Sequence, residues 1–218
     1  MTNEKEIDYL IKQLDGDSET CQSATSKLMN IGEKADKALP ALKHALKKQT
    51  YDYTLAALIS AIGIIGGEKE VDIITNILKN NEEKNILRWT AAQALGNMEE
   101  KAVKAIPDII AVMVTTGINN ILRCDCAFAL GKIGKKINSK EDFEKIVEVF
   151  YDVLNEKDKT ITPPDSIEEK SFRANIALAF MKLVKSRDFS DLAKNKIEIL
   201  EKKENNKEVK NYLKEALK

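Results

Sequence analysis

The sequence contains little histidine, cysteine or tryptophan and no long apolar run. Among its 218 residues, one is histidine, three are cysteine and one is tryptophan. The single histidine, His44, cannot build a histidine metal cage, and its surroundings supply no partners for a Ser-His-Asp relay. The longest apolar stretch, Leu55 to Ile65, contains a serine and a glycine. It is far shorter than the roughly 20 residues that cross a bilayer.

An excess of charge of either sign is also absent. The chain has 35 lysine and arginine residues against 35 aspartate and glutamate residues. Proteins that bind nucleic acid through its phosphates usually show a basic excess or a basic face, so the composition argues against a nucleic-acid partner. Three cysteines in a chain of this length favour reduced thiols. The start of the chain lacks the pattern of a secretion signal, so we expect a cytoplasmic protein that does not bind membranes.

No group of residues in the sequence fits a metal or cofactor site. Cys124 and Cys126 are two residues apart on a predicted helix, about 200° around its axis, and cannot both face one ion. The stretch from Gly63 to Lys69 has the wrong glycine-to-lysine spacing for a phosphate loop, and no serine or threonine follows it. We therefore expect no metal, no cofactor and no catalytic residue.

One pattern of apolar residues followed by glycine recurs along the chain. Its central residues are Leu28, Ile62, Leu95 and Leu130, which are separated by 34, 33 and 35 residues. Apolar residues four and eight positions before each centre, and three after it, mostly follow the spacing of one helical stripe. A more divergent fifth copy is centred on Phe180. A period of this length predicts stacked helix pairs instead of one closed core.

Glycine and proline occupy fixed places in this frame. Glycines four residues after the centre predict left-handed helix ends, at Gly32, Gly66 and Gly134. Glycines one residue after the centre predict close approach of a neighbouring helix backbone, at Gly63, Gly96 and Gly131. Pro40 and Pro107 both stand twelve residues after a central leucine. The first turn of a helix, or a kink, tolerates the missing amide hydrogen at such a position.

These residues resemble a HEAT-repeat protein of the short prokaryotic, lyase-like type. The resemblance is carried by Ala38-Leu39-Pro40, Ala105-Ile106-Pro107 and the Arg88, Ala91, Leu95, Gly96 series with its later copies. It implies an all-α fold, a right-handed α-α superhelix of about five helix pairs with a C-terminal capping pair. The chain is then a single solenoid over 1–218, with units at 4–33, 34–67, 68–100, 101–135 and 139–185 and a cap at 187–218.

Two features of the repeat leave alternatives open. Arg88, Arg123 and Arg173 recur seven residues before their centres, either as an anion-binding row or as carbonyl caps and salt bridges that hold the repeats in register. The step from Leu130 to Phe180 is longer than the others and includes the polar segment 155–166. We interpret this segment as a loop, and loops on solenoids often contact ligands.

The resemblance also indicates where a partner would bind. In HEAT-like proteins the second helix of each pair lines the concave surface, and the residues six before, two before and two after the centre face away from the core. Large apolar side chains on such a surface are typical interface anchors. The hypothesis is a groove that binds a protein segment through seven residues, Trp89, Phe128, Leu178, Arg88, Gln93, Asn97 and Lys132.

The sequence therefore favours a monomeric, non-catalytic protein-protein interaction module, a scaffold or adaptor that binds another protein or a peptide segment. In the competing interpretation of the site, Trp89 and Phe128 fill space between repeats. The competing function is a HEAT-like enzyme, either an alkylbase DNA glycosylase or a bilin lyase. Such a glycosylase is expected to show a basic face and several aromatic residues beside a carboxylate, whereas this chain has four arginines and one tryptophan.

Overall fold

The computed structural model describes residues 4–115, 117–155, 167–186 and 191–218, with side chains from residue 171 onward in the third range. These residues form α-helices and short 3-10 segments and contain no β-strand. The helices are α1 Glu4–Gln13, α2 Ser18–Ile31, α3 Leu39–Lys48, α4 Asp52–Gly66, α5 Val71–Lys79, α6 Asn85–Asn97, α7 Ile106–Val114, α8 Asn120–Lys136, α9 Lys140–Asn155, α10 Ile167–Val184, α11 Asp191–Lys203 and α12 Lys207–Ala216. None of these helices is long and apolar enough to span a membrane.

The first of two compact units, Met1–Ala105, is a stack of three helix pairs. Helix α1 packs on α2, α3 on α4 and α5 on α6, and the second helices α2, α4 and α6 pack in that order. The predicted central residues Leu28, Ile62 and Leu95 are fully buried between them. The apolar stripe read from the sequence is therefore the core of this unit.

The second compact unit, Ile106–Lys218, repeats the arrangement. Helix α7 packs on α8, α9 on α10 and α11 on α12, and α10 packs between α8 and α12. Leu130 and Phe180 are fully buried, and the ring of Phe180 lies 5.5 Å from that of Phe150. The prediction of an all-α fold made of stacked helix pairs is confirmed. The boundary after Ala105 falls inside the predicted unit 101–135, and most of the predicted loop 155–166 lies outside the described residues.

The glycine prediction is correct at Gly32 and wrong at two later positions. Gly32 ends α2 with φ of 69°, a conformation that side chains rarely adopt. After α4 the positive φ of 55° belongs to Gly67, and Gly66 is still helical. Gly134 lies inside α8, which continues to Lys136. There glycine makes room instead, because an added Cβ would come within 2.5 Å of Leu183 Cδ1.

The connections between the helices of one pair and the next contain 3-10 turns that the sequence did not predict. They are Gly32–Ala38, Gly67–Glu70 and Glu99–Ala105, each directly before the next α-helix. Pro40 and Pro107 are the second residues of α3 and α7, where the missing amide hydrogen breaks no helical hydrogen bond. The prolines therefore mark the true start of the α-helical part.

Close packing of neighbouring second helices is clearest at Gly131. A Cβ added there would lie 3.3 Å from the carbonyl oxygen of Ala179 on α10. At Gly63 the nearest atoms are the side-chain ends of Ile74 and Met98. The predicted close approach of a helix backbone is thus confirmed for Gly131, while Gly63 makes space for side chains.

Candidate functional site

The recurring arginines cap the first helix of their own pair. Arg88 Nε donates a hydrogen bond to the carbonyl oxygen of Leu78 at 2.9 Å, and Arg123 Nε donates to that of Met113 at 2.8 Å. Leu78 and Met113 lie in the last turns of α5 and α7. Carbonyl oxygens at a helix end have no partner within the helix, so a buried donor there satisfies a group that would otherwise be costly to bury.

Two of the arginines also contact the next helix pair. Arg173 Nη2 donates to the carbonyl oxygen of Leu154 at 2.8 Å and to Glu204 Oε2, just after α11, at 2.5 Å. The guanidinium carbon of Arg123 lies 4.3 Å from the ring centroid of Phe172 on α10. The sequence left open whether these arginines bind anions or hold the repeats together. The contacts show the second role, because the arginines cap carbonyl groups and contact the next repeat.

Arg88 consequently does not occupy the place assigned to it on the rim of a groove. Its side chain lies in the interior of the helix pair and is 5% exposed. The reason is geometric: seven residues are about two turns of helix, so this position lies close to the core stripe of Leu95. The other six predicted binding residues are half-buried or exposed.

With the exception of Ala174 on α10, which is 5% exposed, the second helices present the predicted row of residues to solvent. On α2 and α4 of the first unit, the residues in this row are exposed or half-buried, namely Gln22, Ser26, Asn30, Ala56, Ser60 and Ile64. On α6 the row continues with Gln93 and Asn97, which are both exposed. We call this row the second-helix surface of each unit. In the second unit it comprises Cys124, Phe128, Lys132, Leu178 and Lys182.

Trp89 is the one large aromatic residue of this surface in the first unit. Its side chain is half-buried, and its indole Nε1 is buried without a hydrogen-bond partner in the described part of the chain. Buried tryptophan nitrogens usually have a partner. Part of the ring is therefore packed and part is accessible.

In the second unit, a cleft of about 710 Å³ opens between α8 and α10. Phe128 is half-buried in its wall, and Ile121 is 56% exposed at its edge. The ring of Phe128 also lies 5.6 Å below the ammonium group of Lys182. The full lining is Gly117, Ile118, Asn119, Asn120, Ile121, Cys124, Asp125, Phe128, Ser171, Phe172 and Asn175. The cleft thus combines apolar side chains with amide, hydroxyl and carboxyl groups, a mixture typical of a binding site.

Cys124 contributes a protonated thiol to this cleft. Burial, and next the charge of Asp125, raise the pKa of Cys124 to about 12, against the opposing effect of Arg123. A thiol with such a pKa is a poor nucleophile and a poor metal ligand at neutral pH. Cys126 is buried in the core on the other side of the helix. Among the described residues, no three histidine, cysteine or acidic side chains are placed to hold a metal ion.

Two further predicted residues lie on α8 and α10 and are not part of the cleft lining. Lys132 follows Phe128 by one turn of α8 and is exposed, and Leu178 on α10 is half-buried. Both positions belong to the row that the helical frame assigned to the second-helix surface.

Comparison with known proteins gives a fold but no family. No family model matches the chain, and no curated protein matches its sequence. Among solved structures, the complex of CpcE and CpcF of phycocyanin lyase from Nostoc sp. PCC7120 aligns with a TM-score of 0.55 at 18% identity, over 81% of this chain and 99% of the other. A designed armadillo repeat protein in complex with the peptide (KR)4 aligns with a TM-score of 0.53 at 18% identity, over 97% and 98%. A second designed armadillo repeat protein aligns with a TM-score of 0.50 at the same identity, over 96% and 97%.

The chain has a HEAT/armadillo-like repeat fold. The alignments cover nearly the whole chain, and the helix pairs described above are the units of this fold. At 18% identity the resemblance concerns the fold alone, so the function of this HEAT/armadillo-like repeat must be argued from its own residues.

Several residues of the cleft were missed by the sequence analysis of this repeat. Ile121 stands nine residues before Leu130, outside the three positions used to define the exposed row. Asn119, whose side chain accepts a hydrogen bond from the amide of Ile121, caps α8. An isoleucine two residues after a capping asparagine, in the first turn of a helix, is a signal in the sequence. Phe172 and Asn175 become part of the cleft only because α10 packs against α8.

Proposed function

We propose that this chain is a non-catalytic protein-interaction module that binds a peptide segment of another protein on the second-helix surface of its second unit. The observation that carries the proposal is the cleft beside Phe128, where aromatic and aliphatic side chains remain accessible between α8 and α10. Accessible apolar groups of this kind stabilise a complex when a partner covers them.

Phe128 has the residue type and the position of an interface anchor. Interface hot spots are usually aromatic or arginine side chains surrounded by groups that exclude water. Phe128 lies on α8, and the side-chain oxygen of Asn175 at the cleft can accept a hydrogen bond from a peptide amide, while its Nδ2 donates to the carbonyl oxygen of Ser171. An apolar side chain of the partner would enter the cleft, while its main chain would meet the polar groups of the cleft.

The structural neighbours support the proposal at the level of the fold. One designed armadillo repeat protein holds the peptide (KR)4, and the phycocyanin lyase structure is a complex of two proteins. Both show that folds of this kind accommodate protein partners. We extend that property to this chain on the basis of its own cleft.

The absence of activity is part of the proposal and has a chemical basis. The Cys124 thiol remains protonated at neutral pH because its pKa is about 12. His44 is mostly exposed, with Nε2 3.9 Å from Asp15 Oδ1, and this pair lies outside the cleft. The described cleft residues therefore supply binding groups and no activated nucleophile.

The experiment uses the full chain and a display library of random peptides. Peptides selected on the wild-type protein are synthesised with a fluorophore, and their affinities are measured by anisotropy. Phe128→Ala is expected to weaken binding by about 30-fold, the loss typical of a hot spot. Ile199→Ala is the matched control, because Ile199 is also apolar, is 41% exposed and lies on the first helix α11. Equal losses for the two variants would contradict the proposed site.

Trp89→Ala tests the anchor role of tryptophan in the first unit. Weaker binding with a small change in Tm would support that role, whereas a large loss of Tm with intact binding would show that Trp89 fills space. Two further measurements address the enzymatic alternatives. A visible absorbance change on adding a bilin, or binding of duplex DNA at about 50 mM salt, would favour a bilin lyase or a DNA glycosylase.

A further inference from the structure

A second groove lies on the first helices of the second unit, apart from the second-helix surface. It has a volume of about 760 Å³ and runs beside α7 and α9, with one residue from the start of α11. Its residues are Ile106, Pro107, Ile110, Glu141, Glu144, Lys145, Glu148, Val149, Asp152 and Leu192. None of them lines the Phe128 cleft.

The floor of this groove is apolar and accessible. Pro107 is exposed, and Ile110, Val149 and Leu192 are half-buried. Three helices contribute these side chains, so the floor depends on how α7, α9 and α11 pack. Partly exposed aliphatic side chains of this kind release water when a partner covers them.

The rim on α9 is acidic in a regular pattern. Glu141, Glu144, Glu148 and Asp152 follow each other at intervals of three, four and four residues. On an α-helix these intervals place the side chains on one face, and the four carboxylates extend over about 16 Å. The chain as a whole has no net charge, so this concentration of one sign is a local feature.

Lysines near the rim balance the acidic charge only in part. Lys145 Nζ lies 2.8 Å from Glu141 and 3.5 Å from Asp142. Lys140 lies 3.6 Å from Glu144, and Lys196 lies 2.7 Å from Glu148. The fourth carboxylate of the rim, that of Asp152, has no ion-pair partner within the described ranges. Among the described residues, the three lysine ammonium groups of these ion pairs therefore stand against five carboxylates, those of the four rim residues and of Asp142.

The existing ion pairs do not prevent a partner from binding. The pairs made by Lys140 and Lys145 join largely exposed side chains and contribute between about 0 and 1 kcal/mol each, so lysines of a partner can replace them at little cost. Lys196 is only 15% exposed and stays paired with Glu148. The surplus of negative charge attracts a basic segment and repels nucleic acid or an acidic peptide. The apolar floor adds a requirement for aliphatic side chains beside the basic ones.

We propose that this groove docks a basic amphipathic helix of a partner protein, with lysine or arginine side chains on the α9 rim and aliphatic side chains on the floor. A helix of about 12 to 15 residues matches the length of the acidic rim. The site would let the module hold one partner on its first helices while another occupies the second-helix surface.

The test uses a fluorescein-labelled synthetic helix of lysine and leucine and measures its binding to the full chain by anisotropy. Glu144→Lys combined with Asp152→Lys is expected to weaken binding by about tenfold or more, because two attractive charges become repulsive. Glu82→Lys combined with Glu100→Lys is the matched control: it makes the same change of charge at exposed sites of the first unit. The control should stay within about twofold of wild type.

Further variants distinguish binding in this groove from nonspecific charge attraction and from binding in the Phe128 cleft. Replacing the leucines of the peptide by serine, or making Val149→Ser in the protein, should also weaken binding. Phe128→Ala should leave it unchanged, so failure of the peptide-binding proposal is distinguishable from failure of this one. Equal losses in both double variants, unchanged binding of the serine peptide, or preferred binding of a glutamate-leucine helix would overturn the proposal.

Discussion

At the scale of the residue, the buried arginines hold the fold through donors that no other side chain reproduces. Arg123 combines the hydrogen bond to the Met113 carbonyl with stacking on Phe172. A lysine carries the same charge but lacks the Nε donor and the planar group. The sequence pattern identified the recurring arginine position. The prediction that Arg88 binds a partner was wrong, because helical geometry directs its side chain into the interior.

We expect Arg123→Lys to lower the free energy of unfolding by about 1 to 3 kcal/mol, because the Met113 carbonyl loses its buried donor. Urea unfolding followed by circular dichroism measures this loss. Lys48→Met serves as the control, since Lys48 is exposed and its ion pair with Asp15 spans 3.3 Å on the surface. That change should stay within about 0.5 kcal/mol. Equal effects of the two substitutions would contradict the capping role.

Gly32 tests backbone conformation separately from packing. Its φ of 69° and ψ of −146° belong to a region that favours glycine, and an added Cβ would meet no atom within 4 Å. We expect Gly32→Ala to lower the free energy of unfolding by about 1 to 3 kcal/mol through strain alone. Asn30→Ala, an exposed change in the same turn, should cost less than about 0.5 kcal/mol. A neutral Gly32→Ala would show that the turn relaxes.

At the scale of the element, the residues just before each α-helix decide where it begins. Apolar periodicity located the first helices, but their 3-10 entries Gly32–Ala38 and Glu99–Ala105 were not predicted. The reason is that an apolar residue every three or four positions fits both helix types. Caps made by side chains are more local: Asp17 caps α2 by accepting a hydrogen bond from the amide of Thr20 at 2.8 Å.

The Asp17 cap predicts a dependence of stability on pH. The hydrogen bond from the Thr20 amide lowers the pKa of Asp17 below its ordinary value. The folded state therefore favours the ionised form of Asp17. The stabilisation that this carboxylate gives is fully present above its unfolded-state pKa of about 3.9, and it is lost as the pH falls through its lower pKa in the folded state. We expect Asp17→Asn to reduce Tm at pH 6, with a smaller difference from wild type at pH 3. Asp36→Asn is the exposed comparison, and a difference for Asp17→Asn that is constant with pH would contradict this assignment.

At the scale of the whole molecule, each compact unit has its own buried core. In stacked repeats, contacts are mainly between neighbouring pairs, so distant parts need not unfold together. The only tryptophan, Trp89, lies in the first unit, while circular dichroism reports on all helices. The two signals can therefore be compared within one protein.

Leu213→Ala is expected to separate these signals. Leu213 is buried in α12, and its truncation should destabilise the second unit by about 2 to 5 kcal/mol. We expect the midpoint of urea unfolding to fall more by circular dichroism than by Trp89 fluorescence. Leu28→Ala, in the first unit, should move the fluorescence midpoint as well. Coincident curves for Leu213→Ala would show that the whole chain unfolds as a single cooperative unit.

The sequence alone determined that the protein consists of helix pairs, because the apolar stripe through Leu28, Ile62, Leu95 and Leu130 recurs every 33 to 35 residues and each stripe must be buried. It also identified the exposed row that contains Phe128, since helical spacing fixes which residues lie opposite the core. These are local properties of one helix.

The tertiary structure alone decided what neighbouring helices build together. The Phe128 cleft needs α10 beside α8, and the acidic groove needs α7, α9 and α11, whose residues are far apart in the sequence. The hydrogen bond of Arg88 likewise needs the carbonyl oxygen of Leu78 at the end of another helix. Periodicity specifies the faces of a helix, whereas side-chain volumes and hydrogen-bond partners on adjacent helices decide how those faces meet.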